Sequence, residues 1–500
     1  MRRLGATAGL FVLLLAASDC RDRDKSTGGT GVAPSSSRPD VLLVTIDTLR
    51  ADAVGFAGKQ RVETPVLDRL AARGVVFRNA HAHNVVTLPS HANILTGLLP
   101  YQHGIRDNTG FRLDPSTPTL ATMLKEKGYA TAAFVGAFPL DSRFGLERGF
   151  DVYDDRYPRG RTPLDFEMPE RPASEVVTAA LAWWRQKRSV PRFLWVHLYD
   201  PHAPYRPPPP FAERYRSNEY LGEVAATDAA LAPLLDPISS ATAPPALVIV
   251  TSDHGEALGD HGEETHGLFA YEATLHVPLV VCFPGKVAAR TSSEFVRHVD
   301  IAPTVLDAVG VAKPAALTGE SLLTASKSPR ETYFEAFSTA LNRGWAPLRG
   351  WIADGTKYVD LPVPELYDLA ADPAESRNLA AERPDVLRRL ARSLPAESEL
   401  GHANRSRAAS EEVARLRNLG YLSGSAAVKK RYTAEDDPKK LVSIDRRLHE
   451  SVDLYQRGKL PEAIRIARAV LRERPGMEAG YENLGFLLRR ADQNLEALRV

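Results

Sequence analysis

Five short runs of apolar, largely β-branched residues recur along the first 300 positions: residues 41–46 (VLLVTI), 131–135, 193–198, 247–250 and 279–282. Near-continuous apolarity over four to six residues, closed by polar ones, is the pattern of a strand buried on both faces of a parallel sheet. Between these runs, residues 65–73, 120–127, 174–185 and 301–309 place apolar side chains at helical spacing. The alternation predicts an α/β fold with a mainly parallel sheet flanked by helices. Ligands of such sheets bind at the carboxyl ends of strands, so the polar residues that follow each run carry the functional information.

The two ends of the chain follow other patterns. Residues 1–20, MRRLGATAGLFVLLLAASDC, set Arg2 and Arg3 before an apolar run over 10–17. That run is too short for a membrane span and has the shape of a signal peptide, which predicts export to the periplasm or cell envelope. Two processing outcomes stay open: a lipid anchor at Cys20, or cleavage after Ser18. Residues 21–38, rich in Ser, Gly and Pro, read as a flexible tether. Small and charged residues over 423–440 read as a linker. Beyond it, residues 441–500 resemble successive tetratricopeptide repeats: Ala463 and Ala497 stand 34 positions apart, Pro475 closes the first unit, and Gly485 falls where helices are expected to pack closely. Such repeats imply a protein partner, and Val500 inside the last helix implies an incomplete stack. A plain helical hairpin capping the catalytic region is the alternative.

Composition narrows the class. The 500 residues are 44% apolar and 25% charged, with 63 basic against 62 acidic side chains and a net charge of +1. This excludes a disordered or collagen-like chain and gives no basic surplus for nucleic acid. Only Cys20 and Cys282 occur, so there is no disulfide framework and no zinc knuckle.

The polar residues at the predicted strand ends form a pattern. Asp47 follows the first run, Asp200 and His202 follow the third, and Asp253 and His254 follow the fourth. Carboxylates neutralise a divalent cation, and an imidazole shifts preference from calcium toward zinc or manganese. Thr87 precedes Pro89 and Ser90, good first-turn residues, and Gly97 is a good terminator, so Thr87 is expected just outside the N-terminus of a short helix. Helix-end N–H groups and the dipole favour an alkoxide or a bound anion there. Spacing alone leaves open whether Thr87 is a nucleophile or a cap.

The segments IDTLRAD, TPVLDRLAARGVVFRNAHA, TLPSHANILTGLLPYQHGI, HLYDPHAPY, TSDHGEALGDHG, HVPLVV, VDIAPTVLDAVGV and ELYDLAADPAESRNLA resemble, in order, the landmarks of the sulfatase family in the alkaline phosphatase superfamily. The resemblance implies a catalytic domain over 39–422 with a smaller subdomain over 328–422. It implies a divalent metal (zinc, manganese or calcium) on Asp47, Asp253, His254 and Thr87. His202 and His266 are implied for catalysis, and His91, His103, Asp200 and His202 for contact with an anionic ester. A second metal on Asp200, His202 and His266 stays open. Sulfatases usually carry Cys or Ser in C/S-x-P-x-R, converted to formylglycine; here the motif is T-x-P-x-H, with Thr87 and His91. Thr cannot form that aldehyde, but its hydroxyl can attack, as in members resembling nucleotide pyrophosphatase/phosphodiesterases. A threonyl ester must be cleared by a second attack of water, which favours phosphoryl transfer over sulfate. Two other functions remain: a head-group transferase, whose membrane relatives have several N-terminal spans that this chain lacks, and a sulfatase-like binding protein acting through its repeats.

Overall fold

The computed structural model describes residues 38–58, 62–157, 171–239, 244–326, 328–396, 426 and 429–500. The expected signal peptide, Cys20, most of the tether and most of the 397–428 stretch lie outside the described residues.

Eight strands form the main sheet: β1 (Asp40–Ile46), β2 (Val75–His81), β3 (Ala130–Val135), β4 (Val152–Asp154), β5 (Arg192–Leu198), β6 (Ala246–Ser252), β7 (His276–Cys282) and β8 (Arg290–Arg297). Their order is β4-β3-β5-β1-β6-β7-β2-β8. Only β7 runs against its neighbours. The central strands are apolar throughout because they are buried on both faces: Val41 and Leu43 of β1 enter one core cluster, while Leu42, Val44 and Ile46 enter the other. All five predicted runs are strands and all four predicted helices form, within a few residues at each end. The periodicity did not reveal β2, where Arg78 and Asn79 interrupt the apolar run and are exposed, or β8, a mostly polar edge strand. Nor could apolarity alone give the reversed direction of β7.

A second, antiparallel sheet follows, β9 (Thr332–Ala336), β10 (Leu348–Ala353), β11 (Thr356–Asp360) and β12 (Glu365–Asp368), in the order β12-β11-β10-β9. The helix Pro384–Ala391 packs on it through Leu390.

Helices Pro438–Gln456, Leu460–Glu473, Glu478–Arg490 and Asn494–Ala497 end the chain, each packing on the next. The first begins inside the stretch expected as a linker, capped by Asp437, whose side chain accepts from the Lys439 N–H, with Pro438 in the first turn. Leu441, Ile444, Leu448 and Val452 on this helix join the same apolar cluster as Trp345 and Leu348. Gly485 is loosely surrounded; the close approach is at Gly480, where an added Cβ would lie 2.8 Å from Leu471 Cδ2. No described helix is long and apolar enough to cross a membrane.

A buried ion cluster pins the Pro438–Gln456 helix. Arg343 Nε donates to Asp445 at 2.7 Å, and His449 Nδ1 lies 3.0 Å from the other carboxylate oxygen. Burial opposes the charge on His449, but Asp445 outweighs it and raises the imidazole to about 9. The Asp445 carboxyl, despite burial, is held well below its usual range by Arg343 and His449. Asp445→Ala, which leaves the buried Arg343 guanidinium without its carboxylate, is expected to cost roughly 3–5 kcal/mol in denaturant unfolding. The His449 contribution is complete below the unfolded value of about 6.5 and is lost as pH rises through about 9, so the stability gap between parent and variant should narrow toward that limit to the part carried by Arg343 and Asp445.

Candidate active site

Strands β5, β1 and β6 are adjacent and in register, Ile46 pairing with both Leu198 and Ser252. The residues just past them therefore meet at one rim. Asp47 leaves β1, with its N–H donated to the Leu198 carbonyl at 2.9 Å. Thr48 next to it adopts φ 52°, a costly conformation for a β-branched residue. It is held there by its N–H to Asp253 Oδ1 (3.3 Å), its hydroxyl to the Pro201 carbonyl (2.9 Å) and the Tyr220 hydroxyl to its own carbonyl (2.9 Å). That strained turn aims Asp47 at the centre of the rim. Thr48, with its hydroxyl committed to Pro201, brings no ligand of its own.

Asp253 and His254 follow β6. The backbone at Gly255 presses against the Ala273 carbonyl, where an added Cβ would sit 2.1 Å from the oxygen, so only glycine lets the loop pass. Three fully buried atoms, Asp47 Oδ1, Asp253 Oδ2 and His254 Nε2, have no hydrogen-bond partner among the described residues. His254 Nε2 is 3.8 Å from Asp47 Oδ1 and 3.6 Å from Asp253 Oδ2. His254 Nδ1 lies 2.9 Å from the Gly255 carbonyl, which fixes the tautomer that leaves Nε2 as a lone pair. Burial raises Asp47 to about 7 and also raises Asp253, whose charge Asp47 further opposes. Two carboxylates and one imidazole lone pair, buried together without partners, fit a divalent cation.

Thr87 is the first residue of the helix Thr87–Thr96, one position further in than expected, with Val86 as the cap. Its hydroxyl faces Asp47 Oδ2 at 3.4 Å. The helix end offers fewer donors than the dipole argument supposes, because the Leu88 N–H is given to Asn108 (2.8 Å) and Pro89 has none. Thr87 has no exposed surface. A cavity of about 480 Å³ approaches this cluster and is lined by His202 and His266. The rings of His202 and His266 are 5.0 Å apart, and those of His266 and His254 are 4.5 Å apart. His202 Nδ1 meets the Tyr199 hydroxyl (2.8 Å) and the Ala203 carbonyl (2.6 Å), while His266 Nδ1 meets Glu256 Oε1 (3.1 Å). Burial lowers His266 to about 4 and His202 well below its ordinary value, and raises Glu256 to about 8.

Three expected substrate contacts are corrected. His91 is fully buried below the rim, with Nδ1 2.8 Å from the Thr87 carbonyl and Nε2 3.0 Å from the Thr45 hydroxyl, so it braces the Thr87 helix. His103 is buried between Asn93 (2.9 Å) and the Ile105 N–H (3.1 Å) and does not line the cavity. Asp200 accepts the Ala173 N–H at 2.9 Å, capping the helix Ala173–Trp184. With Asp200 turned away, the second metal site on Asp200, His202 and His266 does not assemble among the described residues. A further candidate triad there, His91, His197 and Asp253, is ruled out as a cation site by the two bonds of His91.

The Sulfatase family model matches residues 39–311, and the N-sulphoglucosamine sulphohydrolase C-terminal model matches 259–397. The chain belongs to the sulfatase family. It is 26% identical to the uncharacterized sulfatase YidJ of Escherichia coli over 68% of this chain and 83% of the relative. It is 27% identical to rat arylsulfatase K over 70% and 76%. An N-acetylgalactosamine-6-O-sulfatase of Bacteroides thetaiotaomicron matches at 24% over 72% and 93%. The fold resembles the phosphonate monoester hydrolase of Agrobacterium radiobacter, with a TM-score of 0.60 at 23% identity over 71% of this chain and 94% of that chain. The protein is thus an ester hydrolase of the sulfatase/alkaline phosphatase superfamily, whose members use a divalent metal.

Two buried neighbours of the site went unnoticed in the sequence. His197 Nε2 lies 3.4 Å from Asp47 Oδ2, and Glu256 holds both His266 and the Tyr205 hydroxyl (3.0 Å). The available signal for His197 was an imidazole inside the apolar run FLWVHL. For Glu256 it was an acid two residues after the Asp-His pair.

Proposed function

We propose that this sulfatase-family protein hydrolyses phosphate esters or phosphodiesters through a covalent ester on Thr87, with sulfate esters as the second substrate class. The observation that carries the reading is the Thr87 hydroxyl directed at Asp47 Oδ2 beside three partnerless ligand atoms. A divalent cation held by Asp47, Asp253 and His254 supplies Lewis acidity and neutralises charge on the transferring group.

The chain's own groups do the rest. Thr87 Oγ attacks phosphorus while its proton passes to Asp47 Oδ2, and the bond from phosphorus to the substrate alcohol breaks. His266 or His202 gives the departing oxygen its proton. That donor must be an imidazolium, which burial disfavours; the incoming anion restores it by its charge. Water then attacks the same phosphorus, its proton goes to the imidazole, the Oγ–P bond breaks, and Thr87 regains its proton from Asp47. The net reaction adds one water across the ester.

Turnover of aryl phosphate, phosphodiester, phosphonate ester and sulfate panels, with mass spectrometry of trapped protein, tests this. A phosphate adduct on Thr87 supports it; no turnover on any panel by metal-loaded protein defeats it and favours the binding-protein reading. His266→Ala is expected to slow esters of weakly acidic alcohols by about a hundredfold or more. It should slow 4-nitrophenyl esters far less, since nitrophenolate leaves unprotonated. Comparing kcat on the two leaving groups checks this.

Export, a lipid anchor at Cys20 and a protein partner for the C-terminal helices belong to the same proposal. Export rests on the sequence of residues 1–20, and sulfatase-family proteins are often secreted or periplasmic. The repeat reading rests on the 34-residue spacing of Ala463 and Ala497.

A further inference from the structure

The cavity that reaches His202 and His266 is not walled by the catalytic domain alone. Its far side is the helix Pro438–Gln456, which contributes Arg446, His449 and, just beyond its end, Arg457. Both family models end by residue 397, so this wall lies outside the residues that either of them matches. It is also a fixed wall. Leu441, Ile444, Leu448 and Val452 are buried in the main core, and Arg343 and His449 hold Asp445 from two sides.

Charge at the wall is unevenly matched. Arg446 faces Glu264 at 3.4 Å, and His449 is satisfied by Asp445. Arg457 on the wall and Arg206 on the opposite, catalytic side both line the cavity, both are exposed, and neither has a carboxylate within ion-pair distance among the described residues. Asp107, Glu263, Glu264 and Asp453 also line the cavity, so its lining as a whole carries no cationic surplus and the unpaired positive charge is local to these two guanidinium groups. Guanidinium groups present paired donors that suit carboxylate, phosphate and sulfate oxygens alike.

We propose that the Pro438–Gln456 helix is the specificity wall of the active site, and that Arg457 with Arg206 binds a second negative charge on the alcohol part of the ester. This rests on the reading that the ester itself reacts at the His202 and His266 end. The substrate class is then an ester whose alcohol carries another anionic group, and a simple neutral alcohol fills the cavity without using the wall.

Binding of two non-hydrolysable probes to the full chain by calorimetry tests the assignment. Phenylphosphonate offers only the reacting group; 4-carboxyphenylphosphonate adds the second charge. The parent is expected to bind the carboxylated probe about tenfold tighter, in line with a charge-assisted hydrogen bond at an exposed site. Arg457→Gln and Arg206→Gln should each bring that ratio toward one. Arg447→Gln, on the same helix but paired with Glu473, should keep it. Equal affinities in the parent, or a ratio that survives both substitutions, overturns the proposal. The outcome is separable from catalysis: an intact ratio in a protein that turns over no ester would defeat the hydrolase reading and leave the anion site standing.

Discussion

Thr87→Ala is expected to lower kcat on every ester the protein accepts by a thousandfold or more, the scale on which removal of an enzyme nucleophile is felt. The substituted side chain is small and the helix Thr87–Thr96 is braced independently by His91 on the Thr87 carbonyl and by Asn108 on the Leu88 N–H, so folding should survive. Mass spectrometry of quenched reactions should show a covalent adduct in the parent and none in the variant. Thr87→Ser, which keeps an oxygen facing Asp47, should retain the adduct and a substantial part of the rate. Should Thr87→Ala turn over substrate at the parental rate, water is the nucleophile and Thr87 only starts its helix. On the Thr87 proposal phosphate esters are expected to turn over faster than sulfate esters, because a threonyl ester would have no internal route for expelling sulfate and would depend on a second displacement.

Much of this site was readable before any coordinates, for a topological reason. In a parallel sheet every strand ends on the same rim, so Asp47, His202, Asp253 and His254 needed only the positions of three apolar runs to be brought together. Residues outside that logic are not assigned by it. His91 and His103 lie in the segment that resembles a family motif, but whether an imidazole faces a cavity or a backbone carbonyl depends on helix packing that no local pattern encodes. Asp200 obeys the strand-end rule but is not a site residue, because its carboxylate is drawn to the N–H of Ala173, 27 residues earlier in the chain. Strands β2 and β8 were missed because exposed polar residues interrupt them, although β2 is the strand that precedes Thr87. The C-terminal helices were legible as helices, yet nothing in a 34-residue spacing says that the first of them completes the core of the catalytic domain and walls its cavity.

Metal removal is the second change with a large expected effect, and its pH dependence has a definite sign. In the chelated protein Asp47 and Glu256 keep their protons to about 7 and about 8, because burial opposes their charge. In the unfolded chain the same groups release theirs near 3.9 and 4.3. Between these limits these two groups bind more protons in the native state than in the unfolded one, so their contribution to the stability of the chelated protein falls as pH rises from about 4 to about 8. A bound divalent cation compensates the Asp47 and Asp253 charges and adds its own binding free energy to the native state, which amounts to about 2.7 kcal/mol at a hundredfold excess over Kd. Thermal unfolding should therefore show a Tm gap between metal-loaded and chelated protein that widens from pH 5 to pH 8, with activity lost in the chelated form and restored on adding the cation. Asp47→Asn separates the two contributions. It removes a buried charge along with a ligand, so the chelated variant should lose less stability over this pH range than the chelated parent while its response to added metal and its turnover both disappear. A variant that still gains stability from the cation to the parental extent would show that the cation is held elsewhere and that Asp47 serves Thr87 alone.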